Sequence, residues 1–147
     1  MILIMCYSGF HIKAYTDMEI ALEKYCFIGG IKTKSGKERT VPIHPSIYHP
    51  VANRFDGSRN LLLCGCVTFR KNMYGALKRL GIERHTPHDC RHTFSMLCER
   101  YGVNENDRKR MLGHSFGSDI TNARYGHRSL EELRAEIKKI QVPEICC

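Results

Sequence analysis

Apolar residues crowd the first stretch of the chain, where Ile2, Leu3, Ile4, Met5, Tyr7, Phe10, Ile12 and Ala14 give residues 1–14 helix-like density before Thr16 and Asp17 break it. Residues 25–32 and 39–43 favour strands, and Lys34-Ser35-Gly36-Lys37 between them is turn chemistry, which predicts a hairpin with lysines at its tip. Pro42, Pro45 and Pro50 are expected to end pairing and lead into a connection, with Leu61-Leu62-Leu63 as a short third strand. The period then becomes helical. Phe69, Met73, Ala76, Leu77 and Leu80 share one face of a helix capped by Thr68 and stopped by Gly81. Thr86 and Pro87 supply the N-cap and first position of a second helix ending at Gly102, with Cys90, Phe94, Leu97 and Tyr101 on its core face. Asn104 and Gly113 bracket a third helix from Glu105 to Leu112. The capping box Ser129-Leu-Glu-Glu132 opens a fourth, with Leu130, Leu133, Ile137 and Ile140 as its buried stripe. The expected class is mainly α with a small antiparallel β-sheet, an α+β fold.

Composition narrows the class. With 147 residues, 42% hydrophobic and 26% charged, the chain has material for one core and lacks the signature of disorder. A formal net charge of +8 makes a polyanion such as nucleic acid the natural partner. The eight cysteines form no regular ladder and include Cys64-Gly65-Cys66 and Cys146-Cys147, so free thiols in a reducing cytoplasm are expected. Cys64 and Cys66 with His85 or His88 lack the usual two-residue gap between cysteines and a second cysteine pair, so no metal site is expected. The apolar opening is too short to span a bilayer and has no basic leader, and no other stretch approaches membrane length.

His88 and Arg91, three residues apart on the second helix, project from one face near a helix start where backbone N–H groups favour an anion. They belong to an ordered series: His88-Asp89-Cys90-Arg91-His92-Thr93-Phe94, then Leu112-Gly113-His114-Ser115, then Tyr125, then the capped helix from Ser129. In this series the chain resembles the tyrosine recombinases of the phage integrase family, whose carboxy-terminal signature has these boxes in this order. Residues 30–37 and Val41-Pro42-Ile43 likewise resemble the family's lysine-bearing hairpin, so the resemblance covers nearly the whole chain.

The resemblance implies the family's catalytic-domain fold and its chemistry, cleavage and rejoining of double-stranded DNA through a 3′-phosphotyrosyl link without metal or nucleotide cofactor. Tyr125 would be the nucleophile. Arg91 would supply a guanidinium fork to the scissile phosphate and His114 a further donor. Lys34 would protonate the departing 5′-oxygen, with Lys32 and Lys37 as alternates, and His88 would assist proton transfer. Lys32, Lys37, Arg39 and His92 are expected DNA contacts. The tail beyond the tyrosine, Ser129 to Ile140, would serve a homo-oligomer on DNA, and a bacterial or phage-encoded cytoplasmic protein is implied.

Two departures qualify the match. The family's first arginine box has the form Thr/Ser-Gly-x-Arg with an acidic residue three positions later, whereas Ser8-Gly9-Phe10-His11 places His11 at the arginine position and Ala14 at the acidic one. A histidine lacks the guanidinium fork, and losing such a contact typically costs on the order of a hundredfold in rate. Lys13 is a poor substitute, since on a helix it leaves about 100° around from position 11. The chain also begins almost inside this box, so residues 1–147 are expected to form a single N-terminally truncated catalytic domain, without the amino-terminal DNA-binding domain. Three functions fit: an impaired recombinase, an inactive DNA-binding or regulatory remnant of an integrase, or a fragment whose last helix serves subunit contact.

Overall fold

The computed structural model describes residues 1–30, 39–114 and 128–142. The apolar opening is not one helix. Helix α1 spans only Ile2–Cys6, because Ser8 turns its hydroxyl onto the Ile4 carbonyl at 2.5 Å and Gly9 swings to φ +67°. His11 is extended, and a 3₁₀ turn follows over Ile12–Thr16. The α-helical spacing assumed between His11 and Lys13 therefore does not apply. The break lets Phe10 and Tyr15 both point inward, fully buried, with ring centroids 5.9 Å apart, while Tyr15 and Ser8 share a 2.7 Å hydrogen bond.

Three short strands, β1 Glu19–Ala21, β2 Cys26–Ile28 and β3 Thr40–Pro42, form an antiparallel sheet in the order β1-β2-β3. Ile20 pairs with Phe27 and Phe27 with Val41, giving one buried row across the sheet. Phe27 meets Phe10 edge-on at 6.0 Å. The expected β2–β3 pairing is present. The third strand, however, is β1 and not Leu61-Leu62-Leu63: Leu61 and Leu62 are buried by N–H bonds to the Tyr15 carbonyl, at 2.8 and 3.1 Å, without joining the sheet. The lysine-bearing turn lies outside the described residues.

The proline-rich connection holds a helix, α2 Pro45–Ala52. Pro45 occupies the first helical position, where a missing N–H costs nothing, and His44 caps the start by accepting from the Ser46 N–H at 3.2 Å. Helix α3 spans Cys66–Arg79 with Gly65, not Thr68, as its N-cap. Met73 is its buried residue, Phe69 and Leu77 are half-buried, and Leu80 is 71% exposed rather than part of the core.

The remaining helices follow the expected boundaries closely. They are α4 Pro87–Arg100, α5 Glu105–Leu112 and α6 Leu130–Ile137. Helix α1 packs on α4, α4 on α5, and α6 on β3. Cys90, Phe94 and Cys98 are the buried apolar residues of α4, with Leu97 only half-buried. Leu133, Ile137 and Ile140 bury the stripe of α6, and His44 reaches its end through Nε2 to the Ile140 carbonyl at 2.8 Å. Among the described residues no helix is long and apolar enough to cross a membrane.

Two outcomes follow for stability. A Cβ at Gly9 would lie 2.3 Å from Phe94 Cδ1, whereas one at Gly81 would meet nothing within 4 Å, and both glycines have φ +67°. Gly9→Ala should therefore cost about 2–4 kcal/mol in urea unfolding and Gly81→Ala only about 1 kcal/mol. Burial holds the His44 imidazole below its usual pKa, partly opposed by its bond to Ile140. The folded protein thus takes up this proton less readily than the unfolded chain, so stability is full above the unfolded value and falls as pH drops through it. Thermal melts from pH 7.5 to 5.5 should show that fall, with a shallower slope in His44→Gln.

Candidate active site

Helix α4 carries the centre of the site. Its start is locked by Asp89, whose Oδ2 accepts the Thr86 N–H at 2.7 Å; that bond, more than any other influence, holds the Asp89 carboxyl below the usual carboxylate range. One turn on, Arg91 is only 8% exposed. Its Nη1 donates to the Gly9 carbonyl at 2.5 Å and its Nη2 to the Leu112 carbonyl at 2.7 Å. A guanidinium has five N–H donors, so three remain beyond these two. Burial lowers the Arg91 pKa.

Through Gly9, Arg91 ties the first box to α4, and through Leu112 it ties in the end of α5. Gly113 then turns left-handed at φ +70° and presents His114, whose backbone N–H closes on Lys109 at 2.9 Å. His114 lies at the surface, and its pKa is lowered by burial first and then by Arg91 and Arg39, so a neutral imidazole is favoured.

Three exposed imidazoles gather at α4's first turns. His11 stacks on His88 with ring centroids 5.6 Å apart and planes 12° from parallel, and His92 meets His88 edge-on at 4.5 Å. Beside them is a cleft of about 240 Å³ lined by His11, Arg70, Tyr74, Thr86 and His88. Arg84 lies over the ring of Tyr74, one of the cleft's lining residues, at 4.3 Å.

The structure thus groups His11, His88 and His92 by ring contacts, and Arg39, Arg91 and His114 by their mutual electrostatic influence. Arg39 is not a solvated cation of the hairpin base. It is 9% exposed and lies over the Phe10 ring at 4.1 Å. Tyr125, Lys32, Lys34 and Lys37 lie outside the described residues. Among the described residues no three His, Cys, Asp or Glu side chains are grouped to hold a metal ion.

One anchoring residue escapes sequence reasoning. Asp107, 1% exposed, accepts a fork from Arg128, Nε–Oδ1 3.0 Å and Nη2–Oδ2 2.7 Å, with Arg110 Nη1 at 3.4 Å. Arg128 also reaches Glu132 at 2.7 Å, so the start of α6 is pinned to the first turn of α5. An acidic residue in a first helical turn usually reads as a dipole partner, and nothing in the local pattern marks Asp107 as buried.

This arrangement of helices about a small sheet is that of integrases. It is similar to the integrase from mycobacterium phage Brujita, with a TM-score of 0.69 and 16% identity, over 95% of this chain and 50% of that one. It is similar as well to the Tn1549 transposon integrase solved in complex with transposon right end DNA, with a TM-score of 0.65 and 21% identity, over 95% of this chain and 57% of that one. At these identities the likeness is one of fold, and this chain spans about half the length of those integrases. No curated protein sequence matches it. The phage integrase family model matches residues 1–132, and the chain belongs to that family.

The buried fork gives a direct test. Asp107→Ala should lower the thermal midpoint by several degrees, because it removes the buried carboxylate that pins Arg128 to α5 and leaves a gap in its place. Glu131→Ala, which breaks only the exposed pair with Arg134, should change it little.

Proposed function

We propose that this chain is the catalytic part of a site-specific DNA recombinase that cuts and rejoins strands through a 3′-phosphotyrosyl intermediate. The observation that carries the proposal is Arg91: a buried guanidinium with donors beyond its two carbonyl bonds, held where three family boxes meet, within electrostatic reach of a neutral His114 and three positions along α4 from His88. A phosphodiester seated against Arg91 would find fixed donors for its nonbridging oxygens, already oriented before charge develops. Tyr125 Oη would attack phosphorus, the P–O bond to the 5′-oxygen would break, and Lys34 would give that oxygen its proton. His88 would help move the tyrosine proton. The bond energy stays in the phosphotyrosyl ester, and attack by a 5′-hydroxyl reverses the step.

Double-stranded DNA is the proposed substrate and partner, with Arg39, His92, Lys32 and Lys37 as further contacts and the cleft between His88 and Arg70 placed for a flanking phosphate. Tail exchange between protomers would have to use the outer face of α6 or residues after it, since its apolar stripe already covers β3 of its own chain. A second function, an inactive DNA-binding remnant, is favoured by His11, which offers a flat imidazole where the family has a guanidinium.

A nicked suicide DNA substrate separates the two on a denaturing gel. The recombinase predicts a covalent protein–DNA adduct that disappears in Tyr125→Phe and is retained in His11→Arg. No adduct from either the natural chain or His11→Arg, with folding and site choice verified, would leave the binding remnant.

A further inference from the structure

Arg39 poses a physical problem that the described residues do not solve. Its side chain is nine-tenths buried, yet its Nε has no hydrogen-bond partner, and among the described residues its guanidinium donates to no acceptor and meets no carboxylate. The Phe10 ring covers one part of it at 4.1 Å, and Gly113 makes room for another: a Cβ there would lie 2.3 Å from Arg39 Nη1. Burial, followed by the charge of Arg91, pushes the Arg39 pKa down to about 10. Two cations are therefore buried within electrostatic reach of each other, and both also act on His114.

They differ in their use of donors. Arg91 spends two on backbone carbonyls and so fastens the fold, whereas the Arg39 guanidinium, among the described residues, donates to none. A buried charge with idle donors beside a like charge is a cost that an entering anion removes. At position 11, meanwhile, the imidazole is turned onto His88 and away from any guanidinium role.

We propose that Arg39 is the second guanidinium of the site, receiving the scissile phosphate together with Arg91 and taking the part that His11 cannot play. The inference rests on the recombinase function above and adds to it a residue that the first-box mismatch would otherwise leave unfilled. A phosphodiester monoanion between Arg39, Arg91 and His114 satisfies the idle donors and separates the like charges, and its charge grows as the tyrosine oxygen adds.

Arg39→Met keeps length and apolar volume while removing the charge, and Arg39→Lys keeps the charge without the fork. Two measurements on the full chain test the idea. In the first, sodium sulfate at matched ionic strength against sodium chloride should raise the thermal midpoint of the natural protein more than that of Arg39→Met, whose midpoint without sulfate should be equal or higher. In the second, Arg39→Met should lower adduct formation on a phosphodiester suicide substrate on the order of a hundredfold, with Arg39→Lys between. On the same DNA with an uncharged methylphosphonate at the cleavage position, the loss should shrink to about threefold or less, because one guanidinium is then surplus.

Equal sulfate increments in the natural protein and Arg39→Met would overturn the proposal. So would equal losses on both substrates accompanied by a lower midpoint, which would make Arg39 a packing residue. If neither the natural chain nor His11→Arg forms an adduct while the sulfate increment still depends on Arg39, the recombinase function falls, and with it the assignment to the scissile phosphate, leaving only an anion site.

Discussion

The clasp that Arg91 makes between the Gly9 and Leu112 carbonyls joins segments 82 and 21 positions away from it in the chain. Much of the remaining geometry serves or follows from it. The first segment must turn left-handed at Gly9, with no side chain there, for Phe94 to close over it. Helix α5 must stop at Leu112 with its carbonyl facing inward, which the left-handed Gly113 arranges. A neutral side chain could fill the same space, but charge-assisted bonds to two otherwise orphaned carbonyls give both strength and direction.

Around that clasp the electrostatics are one-sided. Arg39 and Arg91 are both buried with no carboxylate partner among the described residues, and burial followed by these two charges makes His114 hold its proton less tightly. Acidic groups do occur nearby in sequence, but the fold commits them elsewhere: Asp89 to the start of α4, Asp107 to Arg128 and Arg110, Glu132 to Ser129. Such an arrangement keeps a cationic site free of internal competition.

Helix α6 is part of the core. Its apolar stripe covers β3, its start is gripped by the Asp107 fork, and its end is met by His44 from the loop before α2. The residues on either side of the segment that carries Tyr125, His114 and Arg128, are thus both referred to α5: one by its backbone, the other by its guanidinium. A nucleophile supplied from that segment would inherit its reference frame from the helix whose end Arg91 holds.

Helix limits from Thr86 onward were legible in the sequence because they depend on local chemistry: a proline at a first position, caps at Asn104 and Ser129, glycines that turn left-handed after α4 and α5. The boxes that define the family were legible for the same reason, as ordered residue types at short spacing. The apolar opening, the helix of Pro45–Ala52 and the identity of the third strand were not, since each depends on a partner distant in sequence. Ser8 needs Tyr15, α2 is anchored where His44 finds Ile140, and β1 needs β2 to pair with. Arg39 makes the point most sharply. By sequence it is one more cation at the base of a hairpin; its burial beneath Gly113, beside Arg91 and against Phe10, required strands and helices from four parts of the chain to converge. Residue type and spacing determined what chemistry this protein has to offer, while only tertiary packing decided which of its cations lost their water, because desolvation is set by all neighbours at once.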